Sequence, residues 1–312
     1  MERLDILAVG TALVDSIIKG FDPKPVSASG YRAASGSLNA GGEAVNEAIA
    51  AAKLGMQTGI LCSLGVDAAG DMLMDVLHRG GVDTSRVLRD EAHPTPVTTM
   101  FVHDDGTRKS ITNGAHRYNF RPDHHLDRLT GARAVILGSL FRAPFDDPDV
   151  VLTVAKTVKA EGALLVADTK LPNFTLLTLD DLRDVLPLID YITPNEDEAK
   201  FYTGQTEPEA MAEVFLEAGV KNVILKLGAK GCYFRNKTEK FALPALPIRA
   251  VDATGAGDNF VAGFTAARLW GNDHESAMRF ANACGAICTT AVGAGTALQN
   301  REQVSALLAK MG

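Results

Sequence analysis

Short apolar runs alternate with helix-forming segments along most of this chain, and this alternation constrains its fold more than any other feature. The run Leu4–Val9 predicts a buried strand, and residues 43–54, closed by Gly55, predict a helix. The same patterns predict further strands at 58–64, 134–140, 163–168, 191–193 and 223–227, and helices at 69–79, 149–160 and 196–203. Strands that alternate with helices form βαβ units. The sequence therefore predicts an α/β fold with a mainly parallel central sheet that helices cover on both faces.

Two stretches depart from this alternation. Residues 12–18 and 96–113 have the patterning of short strands, and the second contains the turn Asp104-Asp105-Gly106. They predict a small antiparallel β-sheet lid formed by about residues 11–20 and 95–113. Helical segments at 258–270, 275–290 and 301–311 end the chain, and we expect them to pack on one side of the sheet. Because the loops are short, we interpret residues 1–312 as a single domain with an inserted lid.

The overall charge narrows the classes of function. The chain has 312 residues and a formal net charge of −7, which argues against a general nucleic-acid binder, because such proteins carry a basic surface. No run approaches the roughly 18 apolar residues of a membrane span, and the first ten residues do not resemble a secretory signal. We therefore expect a cytoplasmic protein that holds any anionic ligand at a local site.

The run Asp252-Ala253-Thr254-Gly255-Ala256-Gly257-Asp258 is the strongest candidate for phosphate chemistry. The common phosphate loop G-x-x-x-x-G-K-[ST] is absent, and a dinucleotide fingerprint fails because Phe260 stands at its third glycine position. Glycines let successive amides converge, and the start of a helix adds unpaired donors and positive potential, so the turn can form an anion hole. An Asp258 that stays ionised there can accept a proton from a substrate hydroxyl. The alternative is that Asp258 only begins a helix, as Asp often does.

A second glycine signal, Gly41-Gly42, precedes the helix that carries Asn46. Close approach of the backbone would suit a polyhydroxyl ligand, and the Asn46 amide offers it both a donor and an acceptor. Asp15, in the predicted lid, is a further candidate for the same ligand. The alternatives are an ordinary loop-to-helix turn and an exposed turn carboxylate.

A third signal is Asn195-Glu196-Asp197-Glu198, where a predicted strand ends and a helix begins. Asn195 and Glu198 have the spacing of a capping box, which would only stabilise the helix. Oxygen ligands at the carboxyl end of a strand can also position hydrated Mg²⁺. Both interpretations can hold together.

Taken together, these segments resemble the ribokinase-like, or PfkB, carbohydrate kinases. Residues 41–48 look like the N-terminal signature of that family, Asp252 to Asp258 like its C-terminal signature, and Asn195 to Glu198 like its N-x-x-E motif. The resemblance covers nearly the whole chain. It implies a ribokinase-like three-layer sandwich with a β-sheet lid, and transfer of the ATP γ-phosphoryl group to a sugar hydroxyl, usually a primary one, with Mg²⁺ as cofactor.

The resemblance also implies roles for particular residues. Asp258 would be the general base, and the amides of Gly255, Ala256 and Gly257 would stabilise the transferring group. The remaining roles are the following: sugar binding by Asp15, Gly41, Gly42 and Asn46; the ATP site at Asn195, Lys226, Gly228 and Gly231, with Asn282 near the adenine; Mg²⁺ at Glu198, through water; and a monovalent cation such as K⁺ at Asp252 and Thr254. Dimerisation through lids is common in the family, so a homodimer is expected.

Departures from the family pattern leave the acceptor open. Glu43-Ala44 stands where ribokinase proper usually has Lys-Gly, Phe141 where it has a sugar-binding glutamate, and Lys226 where threonine is frequent. A hexose, a keto sugar acid and a nucleoside all remain candidates. The alternatives to a sugar kinase are a nucleoside kinase, for which Phe101, Tyr118 and Phe120 could stack a base, and a non-catalytic binding protein.

Overall fold

A computed structural model of the chain describes residues 3–20, 33–103, 108–113 and 120–311. The strands are β1 Leu4–Val9, β2 Leu13–Lys19, β3 Ser35–Gly41, β4 Thr58–Leu61, β5 Ser63–Gly65, β6 Leu88–Asp90, β7 Val97–Val102, β8 Arg108–Thr112, β9 Ala132–Leu140, β10 Leu164–Thr169, β11 Tyr191–Ile192, β12 Asn222–Lys226, β13 Cys232–Asn236 and β14 Lys240–Leu243. The α-helices are α1 Glu43–Lys53, α2 Ala68–Arg79, α3 Pro148–Ala160, α4 Glu196–Thr203, α5 Pro208–Glu217, α6 Ala256–Leu269, α7 His274–Cys288 and α8 Arg301–Met311.

An eight-stranded sheet forms the centre of the molecule, with the strand order β14-β13-β12-β11-β10-β9-β1-β4. Every pairing from β12 to β4 is parallel, and the hairpin of β13 and β14 adds two antiparallel strands at one edge. The predicted mainly parallel sheet is confirmed. The edge hairpin and helix α5 were not predicted. Parallel strands place their carboxyl ends at one edge of a sheet, where open α/β sheets bind ligands.

Helices cover both faces of this sheet, because side chains alternate between its faces along each strand. In β1, Leu7 belongs to the core that contains residues of α3, α4 and α5, whereas Ile6 belongs to the core that contains residues of α1, α6, α7 and α8. The three helices at the end of the chain therefore share one face, as predicted. No helix in the described ranges is both long enough and apolar enough to span a membrane.

The lid is a separate four-stranded sheet with the order β3-β2-β7-β8. Its strands β2, β7 and β8 come from the two predicted stretches, but the prediction of an antiparallel lid is wrong for one pair, because β2 and β7 run parallel. These two strands are not joined by a hairpin. The chain passes through α1, β4 and α2 between them, so no tight turn imposes an antiparallel order. The predicted turn Asp104-Asp105-Gly106 lies outside the described residues.

Two local features also differ from the prediction. Strand β3 was not predicted, and it brings Gly41 to the base of the lid. The strand predicted at 58–64 is divided, because β4 pairs in the central sheet while β5 pairs with β6 in a two-stranded sheet.

Candidate active site

The start of α6 has the glycine-rich turn that the sequence indicated. Gly255 caps the helix with φ of 76°, a left-handed conformation that favours glycine, and a Cβ there would also overlap Ala294. The Asp252 carboxylate holds the turn from outside: Oδ1 accepts from the Thr254 amide at 3.0 Å and from its hydroxyl at 2.7 Å, and Oδ2 accepts from the Gly293 amide at 3.0 Å. The turn is therefore fixed by contacts from two segments of the chain.

Asp258 lies in the first turn of α6 and meets Asn46 of α1. The Nδ2 atom of Asn46 donates to Oδ2 of Asp258 at 2.6 Å. Gly42 caps α1 with φ of 98°, and a Cβ there would overlap the Thr11 carbonyl, which explains why glycine stands at this position. Two signature segments about 200 residues apart thus come together at one hydrogen bond.

The charge state of Asp258 depends mainly on its burial. Asp258 is 7% exposed, and burial raises its pKa to about 6, opposed by Lys170 and by the Asn46 hydrogen bond and reinforced by Glu43 and Asp168. The carboxyl group is therefore mostly ionised at neutral pH and still near enough to its pKa to exchange a proton. This is the range in which a general base works best.

Asp15 lies on β2, opposite Asn39 of β3, at the junction of the lid and the main domain. A Cβ on Gly41 would overlap the Asp15 carboxylate, so the glycine makes room for it. Burial, with a contribution from Glu43, raises the pKa of Asp15 to about 6. One path thus leads from the lid to Asp258, and it is formed by Asp15, Gly41, Gly42 and Asn46.

Two ion pairs lie next to these site residues, and neither pair was predicted. Lys226 Nζ lies 2.5 Å from Oδ1 of Asp168, and Lys170 Nζ lies 2.9 Å from Oε1 of Glu43. Burial acts to raise the pKa of Glu43, but Lys170 outweighs it and the pKa lies at about 2. The signal that could have found Asp168 and Lys170 is their position at the carboxyl end of β10.

Asn195 and Glu198 form the predicted capping box at the start of α4. Glu198 Oε2 accepts from the Asn195 amide and from the Thr169 hydroxyl, at 2.9 and 2.8 Å, while Oε1 accepts from the Asn195 side chain at 2.7 Å. Burial raises the pKa of Glu198, although Lys226 opposes the shift. Three donors occupy three of about four acceptor positions of the carboxylate. The remaining position suits contact with a metal through a water molecule better than direct ligation.

The residues predicted for the nucleotide divide into two groups. Gly228 and Gly231 flank a short turn after β12, and a Cβ on Gly231 would overlap the Leu243 carbonyl and the loop that begins with Pro244. Asn282 of α7 donates to the Pro244 carbonyl at 2.8 Å, so these residues share one loop. The Lys226 side chain forms the second group. It is mostly buried, its Nζ pairs with Asp168, and a Cβ built on Gly257 would lie 3.1 Å from this Nζ.

One amide of the predicted anion hole has a partner within the turn. The Ala256 amide donates to the Ala253 carbonyl at 3.2 Å, which is a long hydrogen bond. The first turn of a helix has amides without partners inside the helix, and Gly257 and Asp258 belong to that turn. The donors that converge at this helix start can therefore hold an anion near Asp258 and Lys226.

Of the three aromatic residues considered for a stacked base, Phe101 lies on strand β7 of the lid. Phe120 is buried in the core of the main domain, where it packs with residues of α3, and Tyr118 lies outside the described residues. Phe141 is also buried and stacks on Tyr202, with ring centroids 3.9 Å apart. Phe120 and Phe141 therefore serve packing in this structure.

Comparisons with known proteins identify the family and the fold of the chain. The model of the pfkB family of carbohydrate kinases matches residues 4–301. Ribokinase of Arabidopsis thaliana is 31% identical over 327 aligned residues, which cover 97% of this chain and 80% of that protein. Probable fructokinase-5 of the same plant is 28% identical over 310 residues and 94% of each chain. The structure of Arabidopsis thaliana ribokinase complexed with ribose and ATP superposes with a TM-score of 0.86 at 29% identity, covering 99% of both chains.

Proposed function

The chain belongs to the pfkB family of carbohydrate kinases, and on that premise we propose that it transfers the γ-phosphoryl group of ATP to a primary hydroxyl of a sugar or sugar derivative. The observation that carries this proposal is the position of Asp258, at the start of a helix with a glycine-rich turn and within hydrogen-bond distance of Asn46. Ribose and ATP are the ligands in the similar structure from Arabidopsis thaliana. We place the reaction in the cytoplasm.

In this proposal Asp258 is the general base. Its carboxylate accepts the proton of the acceptor hydroxyl while that oxygen attacks the γ-phosphorus, and the bond from this phosphorus to the bridging oxygen breaks to release ADP. The Asn46 amide keeps the carboxylate oriented. Such a base contributes about 10²- to 10⁴-fold to a rate. The larger part of phosphoryl transfer comes from positioning and charge stabilisation.

Stabilisation of the transferring group is assigned to the turn of Gly255, Ala256 and Gly257. Amides at the start of α6 and the positive end of its dipole favour negative charge at this place. Lys226 lies beside Gly257 and is itself paired with Asp168. The site therefore combines oriented dipoles with a cation whose position is fixed.

We assign Mg²⁺ to Glu198, through water, beside Asn195. The donor set fits this assignment, because Glu198 keeps one acceptor position after its three hydrogen bonds. When bound there, Mg²⁺ would supply positive charge that balances the phosphate oxygens of the nucleotide. Gly228, Gly231 and Asn282 line the nucleotide end of the site in the same proposal.

A monovalent cation such as K⁺ is assigned to Asp252 and Thr254. Their segment lies against Gly293, and the Asp252 carboxylate connects the two loops. A cation bound here would act on the geometry of the turn before Gly255. It would take no part in the transfer.

The acceptor is assigned to the path formed by Asp15, Gly41, Gly42 and Asn46. The carboxylate and amide groups on this path suit hydroxyl groups of a polyol. Sugars, keto sugar acids and nucleosides belong in the test panel because the residues that would select among them depart from the ribokinase pattern. The buried position of Phe120 gives the nucleoside alternative no support.

A homodimer through the lid completes the proposal. Leu38 on β3 and Ile111 on β8 are 62% and 69% exposed, and these two strands are the edges of the lid sheet. Exposed edge strands with apolar side chains are typical of surfaces that pair with another chain. A second copy of the chain is the partner we propose.

An assay of ADP release tests the proposed function. The wild type is incubated with ATP, Mg²⁺ and single members of a panel of pentoses, hexoses, sugar acids and nucleosides. We expect ADP release that requires both Mg²⁺ and a sugar or sugar acid. Turnover with adenosine or inosine alone would assign the enzyme to nucleosides instead.

A further inference from the structure

Glu47 is an anomaly beside the proposed base. It follows Asn46 on α1 and is 0% exposed, and neither of its carboxyl oxygens has a hydrogen-bond partner. Among the residues that the structure describes, no other buried carboxyl group lacks partners on both oxygens. Buried polar groups almost always have partners, so an exception at this position calls for an explanation.

The position of Glu47 places it among charged groups from four elements. Asp168 at the end of β10, Asp258 of α6 and Glu43 of its own helix are the acids that face it, and Lys226 of β12 is the cation. The carboxyl end of β9 contributes Gly138, where a Cβ would lie 3.2 Å from Oε2 of Glu47. The carboxyl group therefore lies between α1 and the sheet, directly beneath the site.

Neither nearby lysine serves as the counter-ion of Glu47. Lys226 is paired with Asp168 at 2.5 Å, and Lys170 is paired with Glu43 at 2.9 Å. Asp258 has the neutral Asn46 amide as its donor. If Glu47 were ionised as well, two of these four carboxylates, Glu47 and Asp258, would remain without a cation of their own. A buried charge without a partner is strongly disfavoured, and the group takes up a proton instead.

We propose that Glu47 is held as an uncharged carboxylic acid at neutral pH, and that this state allows Asp258 to carry the one unpaired negative charge among Glu47 and the three acids that face it. In this uncharged state Glu47 does not oppose the ionisation of Asp258, and it does not touch the substrate. This inference rests on the assignment of Asp258 as the base. In agreement with it, burial raises the pKa of Glu47 well above its ordinary value, and Asp168, Asp258 and Glu43 add to the shift.

The first test measures the proton itself and does not depend on activity. Infrared difference spectra are recorded at pH 7 between the wild type and Glu47→Gln, with ¹³C-labelled glutamate to assign the band. The proposal requires a band of a protonated carboxyl group in the wild type that is absent from the variant. A spectrum that contains only carboxylate bands for Glu47 would overturn the proposal. If the variant does not fold, Glu198→Gln serves to identify the band of the other buried glutamate, and any protonated band that remains belongs to Glu47.

The second test uses the acidic limb of the pH profile of kcat/KM. Replacing an uncharged carboxyl group by an amide removes no charge, so Glu47→Gln should leave the midpoint within about 0.3 pH unit of the wild type. Glu43→Gln is the matched contrast, because Glu43 is ionised and its removal should lower the midpoint by about one unit or more. A fall of about one unit in Glu47→Gln would overturn the proposal. If Asp258→Asn keeps wild-type turnover, the base assignment fails, and the infrared result still decides the state of Glu47.

Discussion

Asn46 Nδ2 lies 2.6 Å from Oδ2 of Asp258, and this hydrogen bond joins the helix after Gly41-Gly42 to the helix after the glycine-rich turn. It orients the carboxylate of the proposed base and donates to its charged form. Burial raises the pKa of Asp258 to about 6, and the neutral Asn46 donor lowers it less than a paired cation would.

Replacing Asn46 by Asp should move the acidic limb of activity to higher pH. A second carboxyl group at this distance would disfavour the ionised form of Asp258, so we expect the midpoint of kcat/KM to rise by about one unit or more from its wild-type position near pH 6. The sign follows from the role of the base, because activity requires Asp258 to be ionised and is lost as pH falls through its pKa. Asn46→Ala is the control, and the rise should be smaller there. A midpoint that moves downward in Asn46→Asp would contradict the role of this hydrogen bond.

Replacing Asp258 by Asn should stabilise the folded protein at alkaline pH. The folded-state pKa of Asp258 is about 6 against an unfolded value of 3.8, so the ionisable group increasingly opposes folding as pH rises from about 4, and the cost is complete above about pH 6. We expect a gain in the free energy of unfolding on the order of 1–3 kcal/mol at pH 8, measured with denaturant. The gain should vanish below pH 4, where the group is protonated in both states. Equal stabilities at pH 8 would show that the buried charge carries no such cost.

The sequence was sufficient for the parts of the site that are local. The glycine-rich turn and the base lie within four consecutive residues, Gly255 to Asp258, so short-range geometry predicts an anion hole there. The capping box of Asn195 and Glu198 spans one helical turn and is predicted in the same way. The pairing of Lys226 with Asp168 depends on the order of the strands in the sheet. A local sequence pattern does not predict that order. Strand β3 has the sequence Ser-Gly-Ser-Leu-Asn-Ala-Gly, whose low strand propensity is overridden by its pairing with β2. The isolation of Glu47 depends on all of these contacts at once.

Glu198→Gln should raise the concentration of Mg²⁺ required for half-maximal activity, by about tenfold or more. The amide keeps the shape of the side chain but removes the charge that would hold the waters of the ion. Glu196→Gln is the matched control on the same helix, because Glu196 pairs with Lys200 and Lys230 at the surface and should leave the Mg²⁺ requirement unchanged. The same Mg²⁺ requirement in both variants and the wild type would remove Glu198 from the metal site.

Leu38→Glu should convert the proposed dimer into a monomer. A charged side chain on edge strand β3 would have to be buried in the interface, at an unfavourable free energy. The mass measured by light scattering should fall by half. Leu176→Glu, which replaces an equally exposed leucine outside the lid, should keep the wild-type mass. A monomeric wild type would exclude the lid-mediated dimer at the concentrations tested.

The most direct test of the account is ADP release by the wild type and by Asp258→Asn, with the best acceptor of the panel, ATP and Mg²⁺. Binding of ATP by each protein is measured alongside, so that a folded but inactive variant is recognised. We expect turnover in the variant to fall by about 10²- to 10⁴-fold while ATP binding is retained. An Asp258→Asn variant that releases ADP at the wild-type rate would contradict the assignment of Asp258 as the general base.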